Sequence, residues 1–231
     1  MVMTNLSFAV LVAASVGLAG CQDARTVDPY PGKWLIDDFK SPTGDPADPN
    51  FEPWGCRLVD DTHQIGPDDC NSTSIDNHES VLHLAATLVP ANSDSKLAEV
   101  VTYAKPTQDF TPYATFWFSW KLVSGDPPLP AATLLKVQLT CTSVRDADGS
   151  VSTNPCVVKT VISSYADTSD WNGPIPLQLS DFAPPEDYTP KPNLQDCLAR
   201  VDGIKITVQS DPSAAARFDL YVDDISLEPK E

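Results

Sequence analysis

Basic residues are scarce in this chain. Fifteen Lys and Arg stand against 32 Asp and Glu, a formal net charge of −17 over 231 residues. A nucleic-acid partner is argued against, because phosphates are met by clustered Lys and Arg. Histidine is scarcer still: His63, His78 and His83 are scattered, and no Cys-x-x-Cys pair occurs, so a zinc site has no spacing to rest on. There is no Gly-x-Ser-x-Gly, no His-Glu-x-x-His and no phosphate loop. Acidic side chains are so abundant that a pair of carboxylates can always be imagined, and abundance is no signal of a hydrolase. The chain is therefore read as non-enzymatic. It also lacks internal repeats, a long helical period and any apolar run of membrane-spanning length.

The longest apolar run, Leu6 to Leu18, has the length of a signal-peptide core. It ends in Leu18-Ala19-Gly20-Cys21, which resembles the lipobox of bacterial lipoproteins. In that family the peptidase cuts before the cysteine and its thiol is diacylated. The resemblance implies a signal peptide at 1–20, a lipidated Cys21, a tether at 21–32 and a mature domain at 33–231. Met1 to Asn5 carries no Lys or Arg, a departure from the usual basic start. A plain signal peptide with a coincidental cysteine is the alternative. Gln22 follows the cysteine, and the enterobacterial sorting rule then points to the outer rather than the inner membrane of the cell envelope.

An exported chain meets an oxidising compartment, where disulfides are the default for cysteine. Cys141 and Cys156 flank Asp146-Ala147-Asp148-Gly149, a hairpin-turn signal, so a tight hairpin places them opposite each other and predicts a bridge. Cys56 and Cys70 form a second local pair across a polar loop. Each bridge closes a loop of about 15 residues, worth roughly 3 kcal/mol. Cys197 is left as a buried thiol.

Removing the leader leaves about 210 of the 231 residues, enough for one large core. Short alternating runs separated by Pro, Gly, Asp and Asn predict nine strands: Lys33–Phe39, Ser80–Leu88, Leu97–Ala104, Ala114–Val123, Thr133–Thr142, Val151–Tyr165, Ile175–Leu179, Gly203–Gln209 and Arg217–Leu227. The fold class is all-β, a jelly-roll β-sandwich of about nine antiparallel strands. The 22 prolines cluster in the connections, where strands tolerate them. Ser41 to Pro53 is predicted irregular, and Leu194 to Val201 one or two helical turns.

At four places, in order, the chain resembles the galactose-binding-like jelly rolls, which include many carbohydrate-binding modules and the complex I intermediate-associated proteins. These are Leu35-Ile36-Asp37-Asp38-Phe39; Asp109-Phe110-Thr111-Pro112-Tyr113 before Thr115-Phe116-Trp117-Phe118; Trp171 followed by Pro176-Leu177-Gln178-Leu179-Ser180-Asp181-Phe182; and Phe218 to Leu227. Phe39 to Ser80 matches nothing in that family. The resemblance implies the jelly roll. It also implies a structural Ca²⁺ near the last motif, with Asp38 and Asp224, beside Asp37, as oxygen ligands. Asp224 continues the inward face of Phe218, Leu220 and Val222, so it needs a cation, a basic partner or backbone donors. Capping of a turn is the alternative.

Strand parity yields a candidate ligand face without the family. Leu135, Val137, Leu139 and Cys141 alternate with Lys136, Gln138, Thr140 and Thr142. Across the hairpin, Lys159, Ser163 and Tyr165 share the polar side. Trp117 stands on the polar side of its own strand, opposite Phe116, Phe118, Trp120 and Leu122. An aromatic plate among hydrogen-bonding groups suits a sugar. Trp117, Lys136, Gln138, Lys159 and Tyr165 are therefore the predicted ligand-binding residues, unless a buried layer or a loop covers Trp117. Trp171 packs structurally in the resembling family; Trp34 and Trp54 could do either.

The expected function is non-catalytic binding of a glycan or cell-envelope polysaccharide by a lipoprotein held to the membrane through Cys21. One alternative is a structural or assembly lipoprotein whose same face meets a protein partner. Another is a small glycan hydrolase using acidic residues.

Overall fold

Alternation of apolar and polar side chains sets each strand's two faces, and the long-range pairing of those strands sets the architecture. A computed structural model describes residues 32–41, 45–59, 64–65, 69–76, 79–88, 96–141, 156–164, 168–183, 193–210 and 215–231. Two antiparallel sheets face each other, the arrangement of a jelly-roll β-sandwich.

The first sheet holds β1 (Trp34–Asp37), β4 (Asp69–Asp76), β5 (Glu79–Leu88), β7 (Tyr113–Ser124), β10 (Thr168–Gln178) and β12 (Ala216–Pro229), in the order β10-β7-β12-β5-β4. The long β12 pairs with β7 on one side. On the other its first half pairs with β5 and its end with β1. The second sheet runs β3 (Gln64–Ile65), β2 (Gly55–Val59), β6 (Lys96–Gln108), β11 (Val201–Ser210), β8 (Leu134–Cys141) and β9 (Cys156–Ser164). All nine predicted strands are present with shifted ends. The three additional ones, β2 to β4, lie in the stretch that matched no motif. Helix α1 is the single short turn Leu194–Leu198, capped by the Asn193 side chain.

The core lies between the sheets. Leu82, Leu84, Phe116, Phe118, Leu122, Phe218, Leu220 and Val222 enter it from the first sheet, and Ala98, Val100, Leu135, Val137, Leu139, Ile204, Ile206 and Val208 from the second. The irregular segment from Asp45 to Pro53 continues the second sheet where β2 has ended. Phe51 bridges Ala104, Glu52 N–H donates to Tyr103 O at 2.8 Å, and Lys105 N–H donates to Asn50 O at 2.8 Å.

Two expectations are corrected. The register does set Cys141 opposite Cys156, yet Cys141 is a buried thiol, pushed up to about 12 by burial. Cys197, expected as the thiol, is disulfide-bonded. The physical reason is α1, which packs on β8 and β9 and brings a third cysteine to that hairpin. Cys56 is disulfide-bonded as expected, while the side chain of its expected partner Cys70 lies outside the described residues. The second correction concerns Asp224. The ladder between β12 and β7 shifts register between Asp223 and Ser226, and Asp224 takes a left-handed φ of 56°. Ile225 and Leu227 then resume the core face, and Asp224 does not.

Candidate functional site

The outer side of the second sheet is built from cross-strand rows. In one row Arg57, Glu99, Thr207 and Lys136 stand side by side on β2, β6, β11 and β8. The next holds Gly55, Val101, Lys205, Gln138 and Lys159, and the third Tyr103, Gly203 and Thr140. Neighbours within a row lie about 5 Å apart; Glu99, Val101, Thr207 and Thr140 are buried among them, and Tyr103, Lys136, Gln138 and Lys205 are the described side chains that keep exposed surface.

Tyr103 is 39 % exposed and is the large hydrophobic side chain that the described residues leave open to water. Gly203 makes room beside it. A Cβ there would lie 3.2 Å from Tyr103 Cδ1, 3.0 Å from Thr102 O and 2.6 Å from Thr140 Oγ1. The ring therefore leans over bare backbone, which only glycine permits. Thr140 is buried, and its hydroxyl has no hydrogen-bond partner among the described residues. Glu99 and Thr207 point outward yet are only 3 % and 1 % exposed. Lys205 Nζ stands 3.8 Å from Glu99 Oε1, Thr207 Oγ1 donates to Gln138 Oε1 at 3.2 Å, and Lys136 Nζ donates to Gln209 Oε1. The polar groups are thus held in place by one another, beside an open aromatic plate.

The predicted ligand face is not assembled as a unit. Trp117 lies on β7 in the first sheet, whereas Lys136 and Gln138 lie on β8 in the second, with Lys159 in register opposite Gln138. Parity within each strand is as read: Phe116 and Phe118 are buried, and Trp117 is on the outer side, half-buried. The pairing of β8 with β11, rather than with β7, separates the two halves. Trp117 is also engaged locally. Its Nε1–H donates to Glu228 Oε2 at 2.9 Å, and Lys33 Nζ sits 3.7 Å from its ring centroid. Tyr165 and the side chain of Lys159 lie outside the described residues. Tyr103 was missed, although its signal is present: Glu99, Val101 and Tyr103 alternate with Val100, Thr102 and Ala104.

Elsewhere on the first sheet's outer side, His83 stacks on Tyr221 at 4.6 Å and its Nε2 lies 2.8 Å from Asp219 Oδ1. Lys121 Nζ reaches within 4.9 Å of the same Tyr221 ring.

The carboxylates near the opening strand find partners within the protein. Asp37 accepts from Phe39 N–H and Trp54 Nε1–H, both at 2.9 Å. Burial nevertheless pushes its carboxyl up to about 6. Asp38 pairs with Lys40 at 3.4 Å. Burial of Lys40 works against its charge, but the carboxylates of Asp38, Asp223 and Asp224 outweigh that and raise its ammonium above the usual range. Calcium asks for six to eight oxygen ligands. Among the described residues no group of three His, Cys, Asp or Glu side chains could hold a metal ion. A lysine ammonium already stands among Asp38, Asp223 and Asp224, so these residues do not fit a Ca²⁺ cage.

Comparison with solved structures places the fold. The chain is similar to the family 11 carbohydrate-binding module of the cellulosomal cellulase Lic26A-Cel5E of Clostridium thermocellum. Identity is 16 %, 86 % of this chain and 95 % of that one are covered, and the TM-score is 0.50. The same module from Clostridium thermocellum, in complex with a β-1,3-1,4-mixed-linked tetrasaccharide, matches at 15 % identity over 86 % of this chain and 96 % of that one, with a TM-score of 0.47. A family 30 carbohydrate-binding module matches at 15 % identity over 77 % and 91 %, with a TM-score of 0.41. The first of these likenesses bears on the fold, a jelly-roll β-sandwich. No sequence-family model matches the chain, and no curated protein matches it in sequence.

Proposed function

We propose that this protein is a non-catalytic glycan-binding domain carried on an exported lipoprotein, and that the outer side of its second sheet takes the sugar. The observation that carries this reading is the open ring of Tyr103. It stands beside the Gly203 gap, among groups that present hydrogen-bond donors and acceptors at fixed positions. A pyranose has an apolar face that stacks on such a ring and hydroxyls that need oriented partners. The jelly-roll fold is compatible with that use and does not by itself fix it. Binding to a panel of soluble polysaccharides, followed by affinity electrophoresis, tests the reading. Retardation should be lost in Tyr103→Ala and kept in Trp117→Ala.

Anchoring belongs to the same proposal. The apolar run before Leu18-Ala19-Gly20-Cys21 supports a lipid on Cys21 and a place in the bacterial cell envelope, with Gln22 pointing to the outer membrane. Palmitate labelling should disappear in Cys21→Ser; a persistent label would remove the anchor from the proposal. A defined protein that co-purifies in the absence of sugar binding would instead favour an assembly role.

A further inference from the structure

Cations are few in this chain, and their placement is uneven. Of fifteen Lys and Arg in the whole protein, Lys136 and Lys205 stand on the outer side of the second sheet, and Arg57 and Lys159 hold register positions in the same rows, their side chains outside the described residues. The rows that hold them contain a single acidic residue, Glu99, which faces Lys205. On the outer side of the first sheet the charges are even. There Lys33, Lys121 and Arg217 stand with Asp219, Asp223 and Glu228, three cations to three carboxylates. A protein of net charge −17 repels polyanions as a whole, and screening at physiological salt confines that repulsion to about 8 Å. The local surplus of Lys136 and Lys205 over Glu99 is therefore felt by whatever lies directly on that face.

A neutral sugar is recognised by stacking and by hydrogen bonds to hydroxyls, and it has no use for concentrated cations. An acidic group on a sugar does, because charge-assisted hydrogen bonds from Lys are about twice as strong as neutral ones. The rows supply both kinds of contact next to each other. Tyr103 and the Gly203 gap lie one row from Lys205 and Gln138, and that row lies one from Lys136 and Thr207. Adjacent rows on one face are about 7 Å apart along the strands. A sugar ring on Tyr103 thus places its own substituents, or those of the next residue, over Lys205, and a residue further along the chain over Lys136, two rows away. Thr140 adds a buried hydroxyl that lacks a partner among the described residues and sits against the Gly203 gap.

We infer that the ligand of this face is an acidic glycan, a polysaccharide bearing carboxylate or sulfate groups, with a sugar ring on Tyr103 and acidic groups along the chain at Lys205 and Lys136. The inference rests on the glycan-binding reading above and narrows its substrate class.

The test compares the full-length protein on three polysaccharides: polygalacturonate for carboxylate, a sulfated galactan for sulfate, and neutral mixed-linkage β-glucan. Each is measured at low and at physiological salt, with dextran sulfate as a control for unselective charge binding. One acidic glycan should be bound at least tenfold more tightly than the neutral glucan and more tightly than dextran sulfate. Lys205→Gln and Lys136→Gln should each weaken that binding roughly tenfold, in line with loss of a hydrogen bond to a charged group. Lys121→Ala, on the other sheet, should leave it unchanged, and equal thermal melts would show that all variants fold. Because Lys205→Gln leaves Glu99 buried without that ammonium, Lys136→Gln is the variant to rely on if the first fails to fold. Equal or tighter binding of the neutral glucan, unaffected by either lysine change, would overturn the inference and leave the glycan-binding reading standing. Binding only to dextran sulfate would overturn it as unselective charge attraction. Binding to no glycan at all would remove the glycan-binding reading and this inference with it.

Discussion

Gly203→Ala should disturb the candidate site and the fold together, and the size of the effect follows from three distances. The added methyl would meet Thr140 Oγ1 at 2.6 Å, Thr102 O at 3.0 Å and Tyr103 Cδ1 at 3.2 Å. The threonine hydroxyl can rotate away and the tyrosine ring can tilt, but Thr102 O belongs to the backbone of β6, so β6 and β11 must separate slightly. Overpacking of this kind costs about 1–3 kcal/mol. Loss of glycine's freedom in the unfolded chain offsets about 0.4–1 kcal/mol of that. A net loss of about 1–2 kcal/mol is expected in urea unfolding. Thr140→Ala alone should be close to neutral, since its hydroxyl makes no hydrogen bond to the described residues. Combined with Gly203→Ala it should recover part of the loss by removing the shortest contact. The tilted ring should also weaken glycan binding in Gly203→Ala. A Gly203→Ala protein as stable as the wild type, with binding intact, would refute the close packing of Tyr103 over Gly203.

Other outcomes follow from the buried groups. Asp37 holds a proton in the folded protein up to about pH 6, whereas in the unfolded chain it loses it near pH 4. Its contribution is therefore fully present below pH 4 and is lost as the pH rises to 6, by up to about 3 kcal/mol. Urea unfolding of Asp37→Asn should show a flatter dependence between pH 4 and 7, and parallel curves would contradict the burial argument. Peptide mapping without reduction should place Cys197 in a disulfide and Cys141 outside one, with Cys156 at the start of β9 the expected partner of Cys197. A Cys141–Cys156 link would restore the original hairpin reading. Trp117→Ala should lower stability by about 1–2 kcal/mol through loss of the Lys33 and Glu228 contacts, and a loss of sugar binding without loss of stability would return Trp117 to the site.

What the sequence made legible was local. Period-two alternation revealed nine strands and the correct inner set on β7, β8 and β12, because that pattern is imposed by the strand itself. Sheet membership is not a property of a strand. Trp117 and Gln138 both face outward, but the pairing of β7 with β12 and of β8 with β11 puts them on opposite outer faces of the sandwich. Parity also fails at a bulge: Asp224 at φ 56° resets the alternation of β12, and nothing in Val222-Asp223-Asp224-Ile225 announces it. The hairpin register of Cys141 and Cys156 was readable from Asp148-Gly149. The arrival of Cys197 on α1 depends on how a distant helix packs and was not. Tyr103 was within reach of parity. Trp117 is the larger aromatic, and nothing in either strand shows which ring its neighbours engage.

The most direct test of glycan binding at the second sheet is isothermal titration of the full-length protein and of Tyr103→Ala with the polysaccharide that retards the wild type most in affinity electrophoresis. Stacking losses of about 0.5–1.5 kcal/mol predict a roughly two- to tenfold weaker Kd for Tyr103→Ala, in a protein that still unfolds in one cooperative transition because part of the ring is open to water. Equal affinity of the two proteins would contradict the placement of the sugar on this face.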